Sequence, residues 1–193
     1  EVVSSSDLIW IKKGSLTKSF CNNLIKKFDK EPNISDGITL SGYKPDVKQT
    51  KDFVLSGNPL WKNEDAILYK ALQLGLTDYV KHLVNINPTC CPDTSHKLSD
   101  TGYKLQRYEP NGFYTWHNDW TLDRNGSRVY TFIWYLNTLQ EEDEGYTEFI
   151  DGTKIQPKCG NLLFFPATWT YVHRGYPPKV RKYICNGWFY SKP

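Results

Sequence analysis

The sequence predicts an α+β fold that is mainly β: a double-stranded β-helix (jelly-roll) core with N-terminal helices packed on one face. Apolar residues recur at helical spacing before residue 100, and short runs of strand-forming residues, separated by Gly, Pro, Asn and Asp, follow it. Helices followed by a series of strands indicate helices on one face of an antiparallel double sheet. The length of 193 residues fits a single domain, 1–193, with 1–100 as a mainly helical support region and 101–193 as the jelly-roll core.

Two helices are predicted in the first half of the chain. The first is indicated by apolar residues at every fourth position: Leu16, Phe20, Leu24 and Phe28. Ser15 precedes them and is expected to be the N-cap. A second helix is predicted to begin after Pro59 and to continue to Leu83. Residues 33–58, between the helices, are predicted to form a loop with one or two short strands.

The second half contains runs of residues that predict strands. These runs are 103–108, 112–116, 128–136, 147–150, 161–165, 171–173 and 182–190. Short strands with turn residues between them are typical of a sandwich or jelly roll.

Composition and charge exclude several classes of function. The chain has 24 Lys and Arg against 21 Asp and Glu, a net charge of +3, and the basic residues are spread along it, so we expect no nucleic-acid partner. The longest apolar runs are too short to span a bilayer, so we expect no membrane partner. No signal peptide is visible, and the absence of any Met suggests that the natural N-terminus has been removed.

The cysteines favour a reducing compartment. They are Cys21, Cys90, Cys91, Cys159 and Cys185. An odd number without CxxC spacing indicates neither a disulfide framework nor a zinc site, so we expect free thiols and a cytoplasmic location.

A pair of ligand-type residues stands at the end of one predicted strand. His117 and Asp119 are two positions apart, and in extended backbone such residues point the same way, so an imidazole and a carboxylate face one point. His173 ends another predicted strand. Two His and one carboxylate with open positions form the facial triad of non-haem iron(II) oxygenases, in which substrate and dioxygen must both reach the metal. The three residues are therefore candidate metal ligands and catalytic residues.

Several further segments are similar to one known family. They are Leu105–Asp119 (LQRYEPNGFYTWHND), Arg128–Asn137 (RVYTFIWYLN), Gly145–Phe149 (GYTEF), Pro157–Pro166 (PKCGNLLFFP), and His173 followed by Lys182 and Tyr183. Together with the triad they resemble the motifs of the iron(II)/2-oxoglutarate-dependent dioxygenases, specifically the prolyl 4-hydroxylase-like branch. The resemblance extends from Tyr103 to Tyr190.

This resemblance implies that His117, Asp119 and His173 are the three iron(II) ligands. The implied reaction converts 2-oxoglutarate and dioxygen to succinate and CO2 while a C–H bond is hydroxylated, with ascorbate as a reductant. Asp119 favours hydroxylation over halogenation, because the related halogenases have a small residue in its place. By analogy, the substrate is a prolyl residue in a peptide or protein, and another amino-acid side chain or a free amino acid is the alternative. The oligomeric state is not predicted.

The resemblance also implies a cation for the distal carboxylate of 2-oxoglutarate, nine or ten residues after the second His. Lys182 stands nine residues after His173, and Arg181 stands eight after it. Trp188 resembles a pocket-lining aromatic and shares the strand parity of Lys182, so Lys182 is favoured. Three hydroxyl-bearing residues are further candidates for the co-substrate pocket: Tyr135, Thr131 and Tyr108.

Other protein classes fit the sequence less well. A catalytically silent jelly-roll binding module would leave the triad and its cation without a purpose. A cupin-type metal enzyme usually has three His and a Glu as metal ligands, but here only His173 follows Asp119 and no third His is near. His82 and His96 fall in the helical half and its exit loop and are interpreted as structural. The nucleic-acid repair branch of the same superfamily places two Arg beyond the distal His, and none follows Arg181. The acidic segment 140–144 is either a solvated turn or, as the resemblance implies, a segment near the site mouth that would favour basic peptides.

Overall fold

The computed structural model describes residues 4–92, 98–123 and 126–191. The helices in this part of the chain are α1 (Lys18–Phe28) and α2 (Lys62–Ile86). The strands are β1 (Trp10–Lys12), β2 (Ser35–Asp36), β3 (Lys51–Val54), β4 (Leu98–Asp100), β5 (Lys104–Tyr108), β6 (Tyr114–His117), β7 (Leu122–Asp123), β8 (Gly126–Tyr135), β9 (Thr147–Phe149), β10 (Lys154–Ile155), β11 (Leu162–Pro166), β12 (His173–Gly175) and β13 (Lys182–Ser191). The predicted fold class is confirmed.

The start of α1 differs from the prediction. Thr17 is the N-cap, and its side chain accepts a hydrogen bond from the backbone N–H of Phe20 at 3.2 Å. Ser15 was expected there, but its hydroxyl accepts the indole N–H of Trp134 at 3.0 Å. The prediction for Ser15 is wrong because a buried indole on the sheet uses the hydroxyl that would have capped the helix.

The strands form two antiparallel sheets. The major sheet has the order β1-β11-β8-β13-β5-β3-β2, with β4 paired to β13 and β7 paired to β8. The minor sheet has the order β10-β9-β12-β6. The two ten-residue strands, β8 and β13, lie side by side at the centre of the major sheet and form the longest pairing in it.

The major sheet separates two apolar cores because alternate residues of its strands point to opposite faces. Phe132 and Trp134 of β8 pack on the side of the helices, against residues such as Leu72 of α2. Ile133 and Tyr135 of the same strand point inward, where they pack with Phe149 of the minor sheet. Both faces of β8 are buried, so its sequence reads as a nearly continuous apolar run.

The first hundred residues contribute strands to the major sheet as well as helices. β1 pairs with β11, and β3 pairs with β5. The division into a helical support region and a β core is therefore not sharp, since both regions share one sheet. No helix in the described ranges is long and apolar enough to cross a membrane. All five cysteines are free thiols.

Candidate active site

The three predicted ligands come together at the edge of the minor sheet. β6 ends at His117, β12 begins at His173, and the two are direct register partners in an antiparallel pair. Asp119 follows β6 by two residues. Its Oδ1 lies 3.7 Å from His117 Nε2, and its Oδ2 lies 3.6 Å from His173 Nε2. One ligand atom from each residue lies within 4.8 Å of the others, so the group can hold a metal ion.

Backbone carbonyls fix the orientation of both imidazoles. His117 Nδ1 lies 2.8 Å from the carbonyl of Thr115, and His173 Nδ1 lies 2.9 Å from the carbonyl of Tyr171. Because a carbonyl can only accept, each Nδ1 carries the proton, and each Nε2 keeps a lone pair that faces Asp119. Burial, followed by the neighbouring His173, lowers the pKa of His117 to about 3. The ring is therefore neutral, which is the state that binds a metal.

The carboxylate of Asp119 is buried and held from two sides. Burial alone would raise its pKa, but the adjacent His173 and His117 and a hydrogen bond from Thr131 lower it. Thr131 Oγ1 donates to Asp119 Oδ2 at 2.8 Å, and Arg128 Nη1 donates to the Asp119 carbonyl at 3.1 Å. In this arrangement the single hydroxyl proton of Thr131 is used by Asp119, and its expected role as a donor to the co-substrate stays a prediction.

Lys182 points into the interior next to the triad. Its side chain is almost completely buried, and no hydrogen bond or ion pair reaches its ammonium from the described residues. The ammonium lies 4.8 Å from the ring centre of Tyr108, the register partner of Lys182 on β5. Burial lowers the pKa of Lys182 to about 7. Arg181, in contrast, lies on the outer surface and pairs with Glu109 at 2.7 Å.

Three hydroxyl-bearing residues line the same cavity as Lys182 or lie close to it. The Tyr135 and Thr147 hydroxyls are hydrogen bonded at 2.7 Å, and Lys182 Nζ lies 5.9 Å from the Tyr135 ring centre. A Cβ on residue 175 would lie only 3.0 Å from the Tyr108 hydroxyl. Gly175 has no side chain and therefore leaves room for Tyr108. These groups can donate to an anion that pairs with Lys182.

A cavity of about 250 Å³ joins the triad to Lys182. Several polar residues that were not predicted from the sequence also line it: Lys48, Lys104, Gln106, Arg128, Thr147 and Asn186. Asn186 could have been found, because it shares the strand parity of Lys182 and Trp188 on β13. Lys48 could not, because it lies in the long loop before β3 and reaches the cavity only through the tertiary fold.

The donor set and the cavity fit a divalent iron and a dicarboxylate. Two neutral imidazole nitrogens and one carboxylate oxygen are the ligands of a facial triad, and the three residues face an open cavity. A buried ammonium without an anion is costly, so the cavity is complete only when an anion lies beside Lys182. 2-Oxoglutarate has one carboxylate for the metal end and one for Lys182.

Residues 103–190 match the family model described as the 2OG-Fe(II) oxygenase superfamily. This segment, which carries the triad and Lys182, belongs to that superfamily. The matched segment carries the same motifs on which the sequence resemblance was based, and the predicted family is confirmed. A comparison with curated proteins gives no match.

Solved structures share the fold of this oxygenase across nearly its whole length. The viral collagen prolyl hydroxylase from Paramecium Bursaria Chlorella virus-1, in a 2OG complex, is 21% identical, with a TM-score of 0.69 over 96% of this chain and 97% of that chain. A prolyl hydroxylase from Trichoplax adhaerens, in complex with a hypoxia inducible factor peptide fragment, is 16% identical, with a TM-score of 0.74 over 96% and 84%. A Pseudomonas putida prolyl-4-hydroxylase is 18% identical, with a TM-score of 0.66 over 95% and 92%.

Two expectations about residues outside the triad have different outcomes. Residues 140–144 are not among the residues that line the cavity, and their expected place near the site mouth stays a prediction. His82 has a structural place, stacked on Trp10. His96 lies outside the described residues.

Proposed function

We propose that this protein is an Fe(II)- and 2-oxoglutarate-dependent hydroxylase that acts on prolyl residues of a peptide or protein and releases succinate and CO2. One observation carries the proposal: a facial triad and a buried, unpaired lysine share one cavity. Ascorbate is the proposed reductant that keeps the iron in its divalent state. The whole chain is proposed to be a single domain, and its proposed location is the cytoplasm.

His117, Asp119 and His173 are the proposed ligands of Fe(II), which together with 2-oxoglutarate supplies the oxidising chemistry when bound. The protein's own contribution is to orient these ligands and to exclude water. Backbone carbonyls keep both imidazoles as Nδ1–H tautomers, so neither ring must lose a proton or rotate before it coordinates. Thr131 fixes the carboxylate of Asp119 in the same way.

Lys182 is the proposed partner of the distal carboxylate of 2-oxoglutarate. Pairing removes the cost of an isolated buried charge and restores the protonated state of the lysine. Tyr108 supports the proposal because its hydroxyl has no hydrogen-bond partner in the described part of the chain and faces the same space. Tyr135 and Thr147 act as a coupled pair that can donate one proton toward the anion.

The choice of a prolyl substrate rests on the family branch. The viral relative is named a collagen prolyl hydroxylase, and the Trichoplax relative was solved with a peptide fragment. Both are less than 25% identical to this chain, so a prolyl substrate is proposed for it by analogy with them. Within the same chemistry, another amino-acid side chain or a free amino acid is the alternative substrate.

The proposal is tested with a panel of capped Pro-containing peptides, Fe(II), 2-oxoglutarate, ascorbate and oxygen. Mass spectrometry should show a gain of one oxygen atom on Pro, and each product should be matched by one succinate. If the added oxygen atom is found on a residue other than Pro, the prolyl substrate is wrong, but the protein is still a hydroxylase. A folded protein that forms neither succinate nor hydroxylated product would favour a silent binding module.

A further inference from the structure

The catalytic cavity shares a wall with a second cavity. The second cavity, of about 410 Å³, lies beside β2 and β3, and five residues line both cavities: Ile38, Lys104, Arg128, Asn186 and Trp188. A chain that enters through the second cavity must pass this wall to reach the metal ligands. The wall therefore contacts the residues next to the one that reacts.

Two cations in this wall lie close to the indole ring of Trp188. The guanidinium of Arg128 lies 3.6 Å from the ring centre, and the ammonium of Lys104 lies 5.4 Å from it. Among the described residues, neither cation has a hydrogen-bonded carboxylate that it does not share. Arg128 donates to a backbone carbonyl and makes no ion pair within the described ranges. Lys104 is 3.8 Å from Asp52, and that carboxylate is already in contact with Lys48 at 2.8 Å.

The carboxylates around the two cavities are all engaged. Asp52 also accepts hydrogen bonds from Thr50 at 2.7 Å and Gln106 at 2.9 Å, so its oxygens are fully used. Asp36 pairs with Lys51. Asp119 belongs to the metal-ligand group.

Counting charges leaves the wall positive. Lys48, Lys104 and Asp52 together carry one net positive charge, and Arg128 adds a second. The carboxylates of Asp119 and Asp123 also act on Arg128, but Asp119 belongs to the metal-ligand group and Asp123 does not line either cavity. Burial, and then the positive charge of the neighbouring Lys48, lower the pKa of Lys104 to about 8. Arg174, which also lines the catalytic cavity, is neutralised by Glu148 at 2.6 Å and adds nothing to this excess.

The wall also contains an unused hydrogen-bonding group. Asn186 is 8% exposed and lines both cavities, and its side-chain oxygen is buried without a partner in the described residues. A buried amide without a partner costs free energy, so this position is complete only when a ligand donates to it. A main-chain N–H of a polypeptide is such a donor.

We infer that the shared wall binds an acidic peptide, in which a Glu or Asp next to the hydroxylated residue pairs with Lys104 and Arg128 beside Trp188. The inference rests on the proposed function, because it specifies the sequence around its target. The carboxylate faces the two cations of this wall, and Asn186 accepts a main-chain N–H. The acidic segment 140–144 plays no part, so the selectivity is opposite to the one expected from the sequence.

The test compares three sets of capped, labelled hexapeptides that carry Glu, Gln or Lys beside a central Pro. Affinity is measured by fluorescence anisotropy with Fe(II) and 2-oxoglutarate without oxygen, and turnover is measured by mass spectrometry with oxygen. The Glu peptide should bind about tenfold more tightly than its Gln isostere, and the Lys peptide should bind weakest. Added salt should shrink the difference.

Variants at Lys104 assign the selectivity to the wall. Lys104→Gln should remove most of the preference for Glu over Gln, and Lys104→Glu should reverse it toward the Lys peptide. Lys26→Gln removes the same charge from an exposed position on α1 and should keep the wild-type preference. The KM for 2-oxoglutarate is measured in parallel. If Lys104→Gln raises that KM and keeps the Glu preference, the cation serves the co-substrate and the inference is wrong.

Different results would contradict the acidic selectivity and the prolyl substrate. If the wild type binds the Glu and Gln peptides with equal affinity and hydroxylates Pro in both, the acidic selectivity is wrong. The proposed prolyl hydroxylase activity would still hold. If no Pro peptide binds or reacts while 2-oxoglutarate is still consumed, the prolyl substrate fails, and the inferred peptide site fails with it.

Discussion

His117 and His173 stand opposite each other on β6 and β12, with their ring centres 4.3 Å apart. This pairing is set by the backbone register of the minor sheet, and each ring is oriented by a carbonyl two residues before it. The ring of Tyr114 stacks on His117 at 3.5 Å between centres and restricts its rotation further. The metal site is therefore built by strand pairing before any ligand binds.

The hydroxyl of Thr131 should matter for metal affinity. Thr131→Val keeps the shape of the side chain but removes the hydrogen bond to Asp119, and we expect about a 10- to 100-fold loss of metal affinity. Thr131→Ser keeps the donor and should retain most of the affinity. The measurement is a titration with Co(II), followed by its absorption spectrum. Thr147→Val, which removes a hydroxyl on the Lys182 side of the cavity, is the matched control. Equal metal affinity in Thr131→Val and wild type would contradict the proposed role.

Lys182 should decide the affinity for 2-oxoglutarate. Lys182→Gln leaves the distal carboxylate buried without a cation, and we expect the KM for 2-oxoglutarate to rise about 100-fold, from a loss of roughly 3 kcal/mol. Arg181→Gln is the matched control, because Arg181 is exposed and pairs with Glu109 outside the cavity. Initial rates of succinate formation at varied 2-oxoglutarate give both values. An increase in KM for Arg181→Gln instead would show that the anchor had been assigned to the wrong residue.

Burial of Lys182 should also make the stability of the metal-free protein depend on pH. The folded protein releases the proton of Lys182 at a pKa of about 7, whereas an unfolded lysine keeps its proton up to a pKa of about 10.4. Between these values the unfolded state binds more protons, so the free energy of unfolding should rise with pH, by at most about 1.4 kcal/mol per pH unit.

Urea unfolding of wild type and Lys182→Met at pH 7, 8 and 9 tests this. The variant should be more stable at pH 7, and the gap should narrow as pH rises. Lys104, with a pKa of about 8, adds a similar slope in both proteins, so the difference between them isolates Lys182. Parallel pH profiles for the two proteins would mean that the lysine is not desolvated in the folded state.

Much of this account could be predicted from the sequence, because strand parity relates spacing to orientation. Parity placed Lys182 in the cavity and Arg181 outside it, and the spacing of His117 and Asp119 gave a shared ligand group. The N-cap was missed because Trp134, far along the chain, takes the hydroxyl of Ser15. Lys104 was missed for a similar reason, since its partner Asp52 comes from a different strand.

A glycine in α2 provides a test of the packing between the helices and the major sheet. A Cβ at Gly75 would lie 2.5 Å from Leu162 Cδ2 and 3.1 Å from Phe164 Cε2. We expect Gly75→Ala to lower the free energy of unfolding by about 1–2 kcal/mol, because overpacking outweighs a gain in helix propensity of about 1 kcal/mol. Thr77→Ala, two residues on and exposed, should be neutral or slightly stabilising. Chemical denaturation measures both, and a stabilised Gly75→Ala protein would mean that the helix does not approach the sheet so closely.

The central claim is that the triad and Lys182 form one Fe(II)- and 2-oxoglutarate-dependent site. Its most direct test is succinate formation from 2-oxoglutarate by wild type, His117→Ala and Lys182→Ala, with Fe(II), ascorbate and oxygen. We predict metal-dependent succinate in wild type, none in His117→Ala, and activity in Lys182→Ala only at much higher 2-oxoglutarate. Succinate formation that is equal in wild type and His117→Ala, or absent from folded wild type at every concentration of metal and 2-oxoglutarate, would contradict the claim.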